Sequence, residues 1–164
     1  KTPVIAPHPD KDIIMSVRKQ MEKEYASKAN DEKDREELLE KVRHVDRVFL
    51  RDNEGKAFVL GGFLRGMMNA YLSKKGEKIA NVEILPGYIE GDIAIMSQLR
   101  KEGLWNPEVL MPGGKIKFKV RGEGKELKKF VKQLAEASKE TSLGAYRSRG
   151  YGIVEVTVNT QPKE

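Results

Sequence analysis

Arg147 and Arg149 flank Ser148 in a loop that also holds Gly144, Gly150 and Gly152. Guanidinium groups suit phosphate oxygens. Glycine lets backbone approach a ligand closely and reach φ > 0, and successive backbone N–H groups in such a loop can form an anion-binding concavity. Residues 153–158, Ile-Val-Glu-Val-Thr-Val, follow at once with the alternation of a strand. A basic, glycine-rich loop that opens into a strand points to a phosphate backbone as partner. A tight turn that needs glycine for its own geometry explains the same residues, and the loop alone does not separate the two.

A second basic feature lies earlier. Lys115, Lys117, Lys119 and Arg121 alternate with Ile116, Phe118 and Val120, so a strand here has one apolar and one cationic side. On a sheet face those cations make an electrostatic track for nucleic acid; at a sheet edge they guard against edge-to-edge pairing. Tyr71 and Trp105 are candidates for stacking on bases, and core packing also accounts for Tyr71.

The elements that must position these residues follow from periodicity. Residues 2–6 suit an edge strand, broken at 7–10 by two prolines. Asp10 or Asp12 can cap a helical stretch over 12–43, whose apolar positions are Ile13, Ile14, Val17, Met21, Leu38, Leu39 and Val42. Residues 28–37, almost wholly charged or polar, are either a break between two helices or an exposed helix. A strand over 45–50, a turn over 51–56 and a strand over 57–60 form a hairpin signal. Phe63, Leu64, Met67, Met68, Tyr71 and Leu72 recur at helical spacing and Gly76 ends that helix. Arg65 falls in its first turn, where a helix N-terminus favours an anion, and Gly61 and Gly62 can bring amides to the same anion. A surface arginine and a close strand–helix contact account for the three equally well. Broken β pieces over 79–96, an aperiodic stretch over 99–112, the basic strand, a helix over 125–139 with Leu127, Phe130, Val131 and Leu134 inside, and the loop and last strand complete the chain. The order implies an α+β fold, best matched by a ferredoxin-like β-α-β-β-α-β core. The expected organisation is a single domain over 1–164, with a charged helical insertion at 11–43 and a small irregular β insertion at 79–112.

Composition bounds the function. The chain has 164 residues, 31 Lys and Arg against 25 Asp and Glu, and a net charge of +6. That basic excess is compatible with nucleic acid. No cysteine is present, which excludes disulfides, thiolate metal sites and a cysteine nucleophile. No apolar run approaches the roughly 18 residues of a membrane span, so the expectation is a cytoplasmic protein without a membrane partner.

Two separated segments resemble one family. Residues 44–66, His-Val-Asp-Arg-Val-Phe-Leu-Arg-Asp through Gly55 to Phe58-Val-Leu-Gly-Gly-Phe-Leu-Arg-Gly66, resemble the strand, turn and glycine-opened helix of the RAMP superfamily. That turn usually reads Ile-Pro-Gly-Ser-Ser-Leu-Lys-Gly; here Leu60 replaces the proline, Gly62 and Phe63 the serines, and Arg65 the lysine. Residues 143–156 resemble the family's glycine-rich loop and final strand, and 112–120 its penultimate strand. The resemblance implies a ferredoxin-like RNA-binding protein, most similar to the backbone subunits of type III CRISPR effector complexes. Its implied partners are single-stranded guide or target RNA, and other effector subunits or further copies of itself. With it the RNA contacts expected are Gly144, Arg147, Ser148, Arg149, Gly150 and Gly152, through phosphate and 2′-OH groups; the helix start adds Gly61, Gly62 and Arg65, and the cationic strand Lys115, Lys117 and Lys119. The resemblance also implies an alternative, an endoribonuclease. Asp46 matches an aspartate of metal-dependent RNA cleavage and would hold Mg or Mn, while His44, or His8, would act as a general base. A structural subunit without RNA contact is the third possibility.

Overall fold

The computed structural model describes residues 3–7, 11–96, 98–100, 103–141, 152 and 154, with backbone alone at 98–100 and 103–105. The glycine-arginine loop, apart from Gly152, lies outside the described residues, as do His8 and Asp10.

The fold is mixed α+β with antiparallel sheets. Along the chain run β1 (Val4–Ile5), α1 (Lys11–Ser27), α2 (Glu32–Arg43), β2 (Leu50–Arg51), β3 (Ala57–Val59) and α3 (Gly61–Leu72), which ends in a 3-10 turn, Ser73–Lys75. Then come β4 (Glu83–Ile84), β5 (Gly87–Glu90), β6 (Ile93–Ile95), β7 (Gln98–Arg100), β8 (Gly103–Trp105), β9 (Glu108–Leu110), β10 (Lys115–Lys117), β11 (Val120–Arg121) and α4 (Gly124–Glu140). A four-stranded sheet has the order β10-β5-β3-β2 and a three-stranded sheet the order β1-β9-β6; β11 pairs with β4, and β7 with β8. No helix among the described residues is long and apolar enough to cross a membrane.

Two apolar clusters hold these layers. In the larger, Ala57, Val59 and Ile89 of the four-stranded sheet meet Leu64, Met67, Met68 and Leu72 of α3 and Phe130, Leu134 and Ala137 of α4. In the smaller, Ile14, Val17, Met21 and Tyr25 of α1 meet Val42, Val45, Val48 and Ile95. Residues 28–37 contain a break: α1 ends at Ser27, and Asp31 caps α2 by accepting the Asp34 N–H at 2.8 Å. Asp12 lies within the first turn of α1.

Several elements differ from the sequence expectation, each for a local reason. The basic strand divides at Phe118, because its partner divides: Pro86, which has no N–H, separates β4 from β5. Of the strand expected over 45–50, only Leu50 joins the β2–β3 ladder, since the Phe49 N–H goes to the Glu108 carboxylate; its earlier part instead bridges in parallel to the chain before β9 at Arg47 and Pro107. In α4, Val131 is 37 % exposed and Gln133 is buried in its stead. The Gln133 amide accepts from Ala80 N–H at 2.8 Å and donates to Lys78 O at 2.9 Å, tying α4 to the chain after α3. Residues 79–112, expected to be an irregular addition, supply β4 to β9, and β5 and β9 are interior strands of the two larger sheets. Their periodicity is hidden because each strand is only two to four residues long.

Candidate nucleic-acid interface

Strand pairing fixes which side chains share a face. Across the four-stranded sheet, Leu50 lies opposite Phe58, Phe58 opposite Tyr88, and Tyr88 opposite Lys117. The neighbouring positions Ala57, Val59 and Ile89 belong to the core under α3 and α4. Alternation therefore sends the row Leu50, Phe58, Tyr88, Lys117 to the other side of the sheet. Tyr88 is 40 % exposed, and Lys115, Lys117 and Glu90 are exposed beside it. The Phe58 and Tyr88 rings pack at 46° with centroids 6.0 Å apart. Lys56, from the β2–β3 turn, holds its ammonium 4.9 Å from the Tyr88 ring centre. Lys117 pairs with Glu90 at 3.2 Å. On the core side of the same strand Gly87 makes room for Phe118: a Cβ there would stand 2.6 Å from the Phe118 ring.

Among the described residues β10 is also an edge of its sheet. Its lysines thus meet both descriptions, an open cationic face and a charged edge. Lys119 is exposed just beyond β10, and its carbonyl accepts the Leu85 N–H at 2.9 Å.

Arg65 lies on the opposite side of the sheet, on α3, half-buried and donating to Val82 O at 3.0 Å. It does not converge with the lysine face. Gly61 and Gly62 open α3, which has no side-chain cap. Gly61 is needed for packing, since a Cβ on it would lie 2.2 Å from Ile84 O, whereas Gly62 faces open space.

Gly152 is buried, has φ +81°, and gives its N–H to Pro3 O at 2.8 Å. That amide is therefore committed to the β1 segment and is not a phosphate donor; at this position glycine serves its own backbone geometry. Gly144, Arg147, Ser148, Arg149 and Gly150 lie outside the described residues. Tyr71 packs against the main core, with Lys75 4.8 Å from its ring centre. The Trp105 side chain lies outside the described residues.

His44 ends α2, exposed, with Nε2 2.9 Å from Glu40 Oε1. Asp46 exchanges two bonds with Asn106: its N–H donates to Asn106 O at 3.0 Å, and its Oδ2 accepts the Asn106 N–H at 2.8 Å. Its Oδ1 is buried without a hydrogen-bond partner. A magnesium or manganese ion keeps several waters and needs open carboxylate oxygens. Asp46 spends one oxygen on backbone and seals the other from solvent, and among the described residues no three acidic or histidine side chains gather to hold a metal. This donor set does not fit a resident divalent ion. Asp46→Ala is expected to cost about 1–3 kcal/mol by leaving the Asn106 N–H without its acceptor; thermal unfolding checks it, and an unchanged midpoint would show that the bond is worth nothing.

The largest buried polar cluster among the described residues was not apparent from the sequence. Glu108, fully buried on β9, accepts four bonds: Phe49 N–H at 2.9 Å and Arg51 Nη1 at 3.0 Å on Oε1, and the Tyr25 hydroxyl at 2.8 Å and Arg51 Nη2 on Oε2. Arg51 also donates Nε to Glu24 at 3.1 Å and Nη1 to Phe49 O at 2.8 Å. Burial, and then the Glu108 charge, push the Tyr25 hydroxyl far above the ordinary tyrosine range, so it stays a donor. Burial alone would lower the Arg51 pKa, but the Glu108 and Glu24 carboxylates raise it overall, so its charge is fixed. With every lone pair of Glu108 engaged and no exposed surface, the cluster is a joint between α1 and the two sheets rather than a reactive centre. The signal for it was a lone acid beside Val109 and Leu110.

No protein-family model matches the chain, and a search of curated protein sequences gave no match.

Proposed function

We propose that this chain binds single-stranded RNA, as a ferredoxin-like member of the RAMP superfamily working with guide or target RNA in a CRISPR-type antiviral ribonucleoprotein. The observation that carries the proposal is the exposed cationic strand, Lys115 and Lys117, on the sheet face turned away from α3 and α4, which also bears the exposed Tyr88. The net charge of +6 and the Arg147–Ser148–Arg149 loop support it. Four antiparallel strands are backed on one side by α3 and α4, which leaves the lysine-bearing face on the other side. Backbone contact is electrostatic, so affinity falls steeply as salt rises.

Titration of single-stranded RNA, duplex RNA and duplex DNA at several salt concentrations tests this. Single-stranded RNA is expected to bind most tightly. Lys115→Ala with Lys117→Ala is expected to weaken it and to flatten the slope of log K against log salt by up to about 1.4, from about 0.7 per phosphate contact on a single strand. Both side chains are exposed, so stability should change by no more than about 0.5 kcal/mol each. Binding that is absent, or equal for all three nucleic acids and indifferent to salt, defeats the proposal.

A further inference from the structure

Resting on that RNA-binding reading, we infer that Tyr88 and Phe58 form a stacking platform for unpaired bases on the outer face of the four-stranded sheet. A base needs a ring that is exposed, held in place and flanked by cations for the adjoining phosphates. Tyr88 meets each condition. Tyr88 is 40 % exposed, and its ring is braced by Phe58 at 6.0 Å. Its position on an interior strand, paired on both sides, fixes its backbone. Lys56 and Lys117 stand on either side of it, from the β2–β3 turn and from β10, with Lys115 one pleat further on. The one acidic residue that strand pairing places in this part of the face, Glu90, is already paired with Lys117.

Lys56 lies over the Tyr88 ring and would have to yield to a base. An exposed cation–π contact is worth only about two- to five-fold in an equilibrium. A stacked base is worth about five- to 150-fold. The base wins, and the displaced ammonium is left within reach of its phosphate. The platform thus replaces a weak internal contact with a stronger external one, and turns Lys56 from a ring cover into a phosphate contact. Sugar–phosphate contact alone would not require an exposed tyrosine in the middle of a lysine-flanked sheet.

The full chain is titrated with a short uridylate oligonucleotide and with an abasic ribose-phosphate strand of the same length. The parent is expected to favour the uridylate strand by at least about five-fold. Tyr88→Ala should remove that preference while leaving abasic binding within about two-fold, and Tyr88→Phe should retain it, because the ring and not the hydroxyl does the stacking. Tyr88→Leu preserves apolar bulk against Phe58 without a π face, and should lose the preference even if the alanine variant is poorly folded. Equal binding of both strands by the parent, or a preference that survives in Tyr88→Leu, overturns the platform and leaves RNA binding intact. Failure of the parent to bind either strand overturns both.

Discussion

Replacing Glu108 with alanine is expected to cost about 3–5 kcal/mol, a large part of the roughly 5–15 kcal/mol that holds a domain of this size together. The loss is not that of one attractive pair. Arg51 has a side chain with no exposed surface, and without Glu108 its charge is left with Glu24 alone, at 3.1 Å and 28 % exposed. The Tyr25 hydroxyl and the Phe49 N–H lose their acceptor in the same step. Because α1 enters through Tyr25, β2 through Arg51 and β9 through Glu108, the damage spreads across the joint between the helical pair and the sheets. Urea unfolding measures it. Removing the charge as well, by Arg51→Met with Glu108→Leu, should recover part of the loss, since apolar groups of similar volume avoid the cost of burying an unpaired ion. Recovery should be incomplete, because the tyrosine hydroxyl and the Phe49 amide remain unpaired. A loss below about 1 kcal/mol for Glu108→Ala, or a double variant weaker than the single one, would contradict this account.

The same cluster shows where sequence reading stops. Helices were legible because their apolar positions repeat over many turns: Leu64, Met67, Met68 and Leu72 are all buried on α3, and Ile14, Val17 and Met21 on α1. Strands of two to four residues carry too few alternations to declare a period, so β4 to β9 were read as irregular. Nor does a period reveal partners. Tyr25 and Glu108 are 83 positions apart, and only the fold brings them into contact. The aromatic row has the same character. Phe58 and Tyr88 each stand in short apolar runs where either face might be the buried one; pairing with Lys117 on one side and Leu50 on the other sends them outward. Lysines 115 and 117 needed no such help, because their alternation with Ile116 already assigned them a side.

Gly61 and Gly62 are expected to respond to the same substitution with opposite sign. Both were candidates for the same task, presenting amides to an anion at the start of α3. Their surroundings differ. A Cβ on Gly61 would lie 2.2 Å from the carbonyl oxygen of Ile84, well under the 3.0 Å that such contacts respect. The obstacle is backbone of β4, which pairs with β11 and cannot swing aside as a side chain would. Gly61→Ala must therefore push α3 away from the sheet, at a cost of about 1–3 kcal/mol, and Gly61→Val should cost more. Gly62 has nothing within 4 Å and no positive φ. Gly62→Ala should be neutral or stabilising by about 0.4–1 kcal/mol, since it narrows the unfolded ensemble without meeting an obstacle. Thermal unfolding of the two variants reads the difference directly, and equal shifts would refute it. RNA titration of Gly62→Ala then separates packing from contact. The variant is expected to be folded, so weakened binding would place phosphate at this helix start, on the far side of the sheet from Lys117. Unchanged binding would leave the outer face as the proposed RNA surface, with Gly61 needed because helix and strand approach too closely there for a side chain.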